Sequence, residues 1–125
     1  MKNTVKNYNI HERIFTFIVE VINLINKLPK TPTNLIFINQ ITRSVTSMGA
    51  NDQEADGSNT KKDFIHGFTL VRKEAKETVF WLRIIDKTNP RFSNELNKLI
   101  LEGNEIVAIV SAIIRNTAQN MKGGK

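Results

Sequence analysis

The sequence contains no cysteine, only three prolines, one tryptophan and one tyrosine. The lack of cysteine excludes disulfides and thiolate-bound metal sites, and it fits a reducing compartment. No apolar run approaches the roughly 20 residues that a membrane-spanning helix needs. The opening residues, MKNTVKNYNIHER, also lack the uninterrupted apolar core of a secretory signal. We therefore expect a cytoplasmic protein without a membrane partner.

Strand signals are missing as well, since no segment sustains a period-two alternation and no Asn-Gly or Asp-Gly turn joins two apolar runs. Apolar residues instead recur at alternating intervals of three and four, as in an amphipathic helix. A chain of 125 residues suits one domain with a single core. The four series are Ile10, Ile14, Phe17, Val21, Leu24 and Leu28; Ile38, Ile41, Val45, Met48, Asp52 and Ala55; Phe64, Phe68, Val71, Ala75, Thr78, Leu82 and Ile85; and Leu96, Leu99, Gly103, Ile106, Val110, Ile113 and Thr117.

Capping and stop signals delimit these four series. The predicted N-caps are Asn9, Thr31, Thr60 and Ser93, and the predicted stops are Leu28-Pro29, Gly57 and Asn89-Pro90. These signals predict helices over residues 10–28, 32–56, 61–88 and 94–118, with a flexible tail over residues 119–125. Four long helices with short connections favour an all-α, up-down-up-down antiparallel four-helix bundle as a single domain. A pair of helical hairpins is the alternative.

A stripe of small and polar residues runs along the second helix, through RSVTSMGANDQEADG, and faces a stripe of carboxylates on the third. Carboxylates flanked by apolar residues are costly unless they are paired. We expect one internal polar network that fixes the helix register. The alternative is a functional carboxylate site with shifted pKa values. The network residues are Arg43, Ser47, Asn51, Glu54, Glu74 and Glu77.

Basic residues dominate the side of the third helix that faces away from the apolar seam. The formal net charge of the chain is +6, which favours polyanionic partners such as RNA or DNA. A basic row on a rigid helix can follow a phosphate backbone, and an aromatic ring within it can stack on a base. The alternative is an ordinary solvated outer face. The candidate nucleic-acid-binding residues are Lys61, Lys62, Arg72, Lys73, Lys76, Phe80, Arg83 and Lys87.

Signatures of catalysis and of metal binding are weak. A dimetal bundle needs two Glu-x-x-His motifs. The chain has two histidines, His11 and His66, and of these only His66 has a carboxylate, Asp63, three residues before it. We expect both histidines to be exposed polar residues, with no catalytic residue, no metal and no cofactor. A carboxylate-based enzyme that uses Glu54, Glu74 and Glu77 is the least supported alternative.

The first and last helices carry more apolar residues than one buried face needs, since an arc of about 100° suffices. A monomer would expose the excess as an unusually large apolar patch. We therefore expect a homo-oligomer. The candidate interface residues are Phe15, Ile18, Val19, Ile22, Leu101 and Ile109.

Three motifs in order resemble the bacterial 23S rRNA-intervening-sequence proteins: LPKTP at residues 28–32, RSVTSMGANDQEA at residues 43–55 and KKDFIHGFTLVRKEAKETVFWL at residues 61–82. The resemblance spans roughly residues 9–118, although Asp52 and Gln53 depart from the usual pattern. It implies a four-helix bundle that forms homopentamers. It also implies similarity to the accessory bundles of diversity-generating retroelements, which engage nucleic acid and a reverse transcriptase. No catalytic residues follow from it.

Together these observations predict a non-catalytic oligomeric binding or scaffold protein whose partner is nucleic acid or a nucleoprotein. The alternative is a protein–protein adaptor oligomer that touches no nucleic acid.

Overall fold

Four α-helices form an antiparallel bundle over residues 9–124, the part of the chain that the computed structural model describes. The helices are α1 (Ile10–Ile25), α2 (Pro32–Asp56), α3 (Lys61–Thr88) and α4 (Ser93–Gly124). A 3₁₀ turn over Pro90–Phe92 precedes α4, and these residues include no strand. Consecutive helices pack side by side, and α1 also packs on α4, which closes the bundle. The predicted four-helix bundle is confirmed.

Three of the four predicted N-caps are confirmed. The side chains of Asn9, Thr31 and Thr60 accept hydrogen bonds of 2.9–3.3 Å from backbone N–H groups two or three residues further on. The predicted cap at Ser93 is wrong, because its backbone is already helical and it belongs to α4. Its hydroxyl instead donates to Asp86 on α3, at 2.7 Å.

Two helix ends differ from the prediction. The first helix ends at Ile25 rather than at residue 28, and Leu28 N–H bonds to the Ile25 carbonyl in a tighter turn. The residue before a proline avoids the α conformation, so the chain leaves the helix before Pro29. At the other end α4 continues to Gly124, so residues 119–124 of the expected flexible tail are helical, and Lys125 lies outside the described residues.

The predicted apolar seams meet in one core. Phe17 of α1, Met48 of α2, Phe68 of α3 and Ile106 of α4 are each almost fully buried. Burial of a large aliphatic or aromatic side chain contributes about 1.5–3 kcal/mol relative to its exposure. Apolar burial along all four seams is therefore the main force that holds the helices together.

Polar contacts and close backbone approach fix the register between α2 and α3. The buried hydroxyls of Ser44 and Thr78 lie 2.7 Å apart. Near the other end Gly67 faces Ala55, and a Cβ added to Gly67 would lie 2.8 Å from the Ala55 Cβ. At the start of α2, the amides of Asn34 and Asn89 form a buried pair of reciprocal hydrogen bonds of 2.9 and 3.1 Å. Nothing in the sequence pattern singled out this pair.

The described residues contain no helix with the length and apolar character required to traverse a bilayer.

Candidate nucleic-acid interface

The structure places one straight row of cations on the outside of α3. From Lys73 onward the members of this outer stripe recur at intervals of three and four residues, and Lys62 lies eleven residues, or about three turns, before Lys73. All of them are exposed on one side of the helix. The outer stripe consists of Lys62, Lys73, Lys76, Phe80, Arg83 and Lys87. Of the two remaining candidates, Lys61 is exposed at the start of the helix. Arg72 is half-buried and its guanidinium lies 3.4 Å from the Ser111 hydroxyl of α4.

Most carboxylates of α3 are held in contacts with other helices. Arg43 of α2 donates to Glu77 at 2.5 Å and to Glu74 at 3.4 Å. Asp86 accepts the hydrogen bond from Ser93. Within residues 9–122, the lysines and arginines that form ion pairs are Arg13, Lys27 and Arg43, so the cations of α3 stay outside ion pairs. The outer stripe therefore keeps its positive charge available.

The contact between Arg43 and Glu77 also orients an aromatic side chain. The hydrogen bond from Arg43 lowers the pKa of the Glu77 carboxyl, which favours the ionised form. The same carboxylate oxygen accepts a hydrogen bond of 3.2 Å from the Trp81 indole N–H. The Trp81 ring contacts Phe37 of α2 and Phe80 of the outer stripe, with centroid separations of 6.1 and 5.1 Å. A chain of contacts thus leads from Arg43 to the outer stripe.

The six residues expected to form one polar network separate into three groups. Arg43, Glu74 and Glu77 come together. The Asn51 amide donates to the carbonyl of Ser47 in its own helix, at 2.9 Å, and lies 3.5 Å from the Ser47 hydroxyl. Glu54 is exposed.

The antiparallel register explains this separation. Ser44 lies beside Thr78 and Ala55 lies beside Gly67, so Glu54 faces a level of α3 well removed from Glu77. Arg43 and Glu54 are eleven residues apart in one helix, or about 16 Å along its axis. The expectation of a single network over all six residues is therefore corrected to the Arg43, Glu74 and Glu77 cluster.

The candidate interface residues on α1 and α4 differ in exposure. Phe15, Val19 and Leu101 are exposed by 65%, 41% and 71%. Ile18 and Ile22 are half-buried and pack against the core. Ile109 is half-buried as well. The bundle thus leaves three large apolar side chains of this set in solvent.

An imidazole–carboxylate contact that was not predicted from the sequence joins α1 to α2. His11 was expected to be exposed, yet its Nδ1 lies 2.7 Å from Asp52 Oδ1 and its Nε2 lies 3.2 Å from Asp56 Oδ1. The Asp52 side chain is buried, and this burial raises its pKa, while the hydrogen bond from His11 opposes the rise. An aspartate at an apolar seam position was the signal, because such a residue needs a polar partner.

No group of three or more histidine, aspartate or glutamate side chains in the described part of the chain is arranged to hold a metal ion. His66 is exposed. The clusters around Arg43 and His11 join helices to one another, whereas the outer stripe consists of exposed side chains whose cations form no ion pair within residues 9–122.

These features define a class of small basic four-helix bundles in which one helix carries a cationic outer face. The model of one family, the 23S rRNA-intervening sequence proteins, matches residues 6–112. The chain belongs to the 23S rRNA-intervening sequence protein family.

Comparison with solved structures and with curated proteins gives two further findings. The fold is similar to that of a protein with unknown function from the S23 ribosomal protein family of Bacteroides thetaiotaomicron VPI-5482. The two chains share 29% identity with a TM-score of 0.77, and the match covers 85% of this chain and 98% of the other. A search of the curated proteins finds no significant match.

Proposed function

We propose that the protein is a non-catalytic, oligomeric binding module that engages nucleic acid or a nucleoprotein through the outer stripe of α3. The observation that carries this proposal is the division of charge on α3. The cations of its outer stripe face solvent, whereas Glu74, Glu77 and Asp86 are held by residues of neighbouring helices. A phosphate backbone is the partner that best matches an extended row of unpaired cations.

The dimensions of the outer stripe suit an extended polyanion. From Lys62 to Lys87 the helix rises about 38 Å, at about 1.5 Å per residue. A stacked strand carries one phosphate per about 3.4 Å, so the stripe runs beside roughly eleven phosphates. Five cations on this row give non-specific contacts, since a straight helix face with no base-reading loop recognises the backbone rather than the sequence.

The carboxylates support a non-catalytic role. An enzyme that used Glu54, Glu74 and Glu77 would need them around one substrate, but Glu54 lies on a different level of the bundle. Arg43 neutralises the other two. General acid–base catalysis needs a group that can reach the reacting atoms, and this arrangement uses the carboxylates to bind an arginine instead.

The proposal includes a homo-oligomer, with five subunits as the family resemblance implies. Phe15 and Leu101 are largely exposed, and a second copy would remove them from water. Several outer stripes in one assembly would raise the avidity for a long polyanion without any new contact. The same apolar surface favours the second candidate function, an adaptor oligomer that binds only protein.

Charge reversal on the outer stripe tests the proposal. The variant Lys62→Glu, Lys73→Glu, Arg83→Glu is compared with wild type by fluorescence anisotropy, on labelled single-stranded and duplex oligonucleotides at about 50 mM salt. The matched control is Lys98→Glu, Arg115→Glu, Lys122→Glu on α4, which changes the net charge equally at exposed positions. Circular dichroism and light scattering check helicity and assembly.

We expect the outer-stripe variant to lose binding and the α4 variant to retain most of it. If both variants bind as wild type does, the outer stripe is not the binding surface and the proposal is overturned. If wild type binds no oligonucleotide at this salt concentration, the adaptor function replaces the nucleic-acid proposal.

A further inference from the structure

We infer that Phe80 is a stacking platform for an unpaired base, so that the outer stripe binds single-stranded nucleic acid in preference to duplex. This inference rests on the proposed function and specifies its ligand. Phe80 is the one aromatic residue within the outer stripe, and its side chain is 49% exposed. A large aromatic ring in solvent between cations is costly for the protein alone, whereas stacking on a base would cover it.

The surroundings of Phe80 combine an apolar wall with cations. An open pocket of about 390 Å³ is lined by Phe80, Ile84, Arg83, Lys87 and Thr88. The Phe80 ring and the Ile84 side chain offer apolar surface to a base. Arg83 and Lys87 lie within one or two helical turns of Phe80, where their charged groups can bind the phosphates on either side of that base. An apolar patch alone would fit many partners, but this one is flanked by positive charge, which selects a polyanion.

The ring of Phe80 packs against a neighbouring aromatic side chain. Trp81 meets it edge-on, with an interplanar angle of 70°. The Trp81 indole is itself held by its hydrogen bond to Glu77, which Arg43 also contacts. A platform whose supporting ring is fixed loses less conformational entropy when a base stacks on it. The Arg43 and Glu77 contact therefore acts as a positioning element for the platform.

Single strands and duplexes present different surfaces to this site. In a duplex the bases stack on each other, so a protein on the outside meets phosphate and sugar. In a single strand the bases can turn outward onto an aromatic ring, and each stacked base adds measurably to binding. The cations of the outer stripe attract both forms, but the Phe80 platform adds affinity only for the single strand.

The test compares four labelled 12-mers by fluorescence anisotropy at about 50 mM salt: oligothymidylate, oligouridylate, a DNA duplex and an abasic strand that keeps the phosphates and lacks the bases. Wild type is compared with Phe80→Leu, which retains an apolar side chain without a ring face, and with Phe80→Trp, which restores one. Position 80 is exposed, so both variants are expected to fold, and light scattering checks their assembly.

We expect Phe80→Leu to bind the base-containing single strands about five- to twentyfold more weakly than wild type, while its affinity for the duplex and the abasic strand stays within twofold. Phe80→Trp should regain most of the loss. A loss on oligothymidylate alone, on oligouridylate alone or on both supports the platform and identifies the nucleic acid that it takes.

The opposite outcomes separate this inference from the proposed function. If wild type binds all four probes equally and Phe80→Leu changes none of them, the platform is refuted and phosphate binding by the outer stripe stands. If Phe80→Leu alters the oligomer size and not the affinities, the pocket binds a second copy and the inference is wrong. If no probe binds to wild type, the inference fails together with the proposed function.

Discussion

Removal of the His11 imidazole should destabilise the bundle strongly at neutral pH and much less in acid. The Asp52 side chain is only 3% exposed, and His11 lies 2.7 Å from its carboxylate. In the His11→Ala variant this buried charge keeps no imidazole partner. A buried polar group left without its hydrogen-bond partner typically costs about 1–3 kcal/mol, and a charged group costs more. His11 is 27% exposed and water can reach its site, so we expect about 2–3 kcal/mol.

The pH dependence follows from the pKa of Asp52. Burial raises this pKa above the ordinary value of 3.8, and His11 opposes the rise. The substitution removes that opposition, so the folded variant holds the Asp52 proton more tightly than wild type does. An acid whose pKa is raised by folding makes the folded state less stable as the pH rises through that pKa. The cost of His11→Ala should thus be complete at pH 7 and smaller near pH 4.

Urea denaturation followed by circular dichroism measures this cost, at a fixed protein concentration because assembly adds to stability. The control is the same substitution in an Asp52→Asn background, where no carboxylate is buried at position 52. There His11→Ala should cost less at pH 7, because only the contact of His11 with Asp56 is then lost. A cost below about 0.5 kcal/mol at pH 7, or an equal cost at both pH values, would refute the reasoning.

Three other experiments test the polar cluster, the packing and the assembly. Glu77→Ala should lower the free energy of unfolding by about 1–2 kcal/mol in urea denaturation, because Arg43 and the Trp81 indole N–H lose their acceptor. It should also shift the tryptophan fluorescence, and an unchanged spectrum would contradict this. Gly67→Ala should destabilise by about 1–2 kcal/mol, because its new Cβ meets the facing helix at 2.8 Å. Gly49→Ala is the matched control and should be neutral or stabilising, because its new Cβ meets only the flexible end of an isoleucine. An equal loss of unfolding free energy at both glycines would count against the packing argument. Phe15→Glu combined with Leu101→Glu should reduce the particle seen by light scattering to a 14.2 kDa monomer; wild type already at that mass would refute the oligomer.

Most of the fold follows from local signals in the sequence. The intervals of three and four place Phe17, Met48, Phe68 and Ile106 in the core, and side-chain caps mark the starts of the first three helices. These signals act within one or two turns of a helix, so they can be read without knowledge of the partner helix. The cap at Ser93 failed because a 3₁₀ turn gives this residue a helical backbone, which local composition does not reveal.

The polar contacts were harder to predict because they depend on the register between helices. The stripes of α2 and α3 indicated that Arg43 would meet carboxylates, but stripes alone do not say which residues share a level. Asn51 and Glu54 share the matching stripes with Glu74 and Glu77, yet the antiparallel register separates them. The contact between His11 and Asp52 joins residues 41 positions apart, and only the assembled bundle brings them together.

The central claim is that the outer stripe binds nucleic acid through the phosphates of the nucleic acid. The salt dependence of oligothymidylate binding tests this claim most directly. With about five cations on the stripe, the affinity should fall with a log–log slope near −3.5, or roughly a hundredfold between 50 and 200 mM salt. Charge reversal at Lys62, Lys73 and Arg83 should abolish this binding. An affinity that does not change with salt, or the absence of binding at 50 mM, would contradict the account.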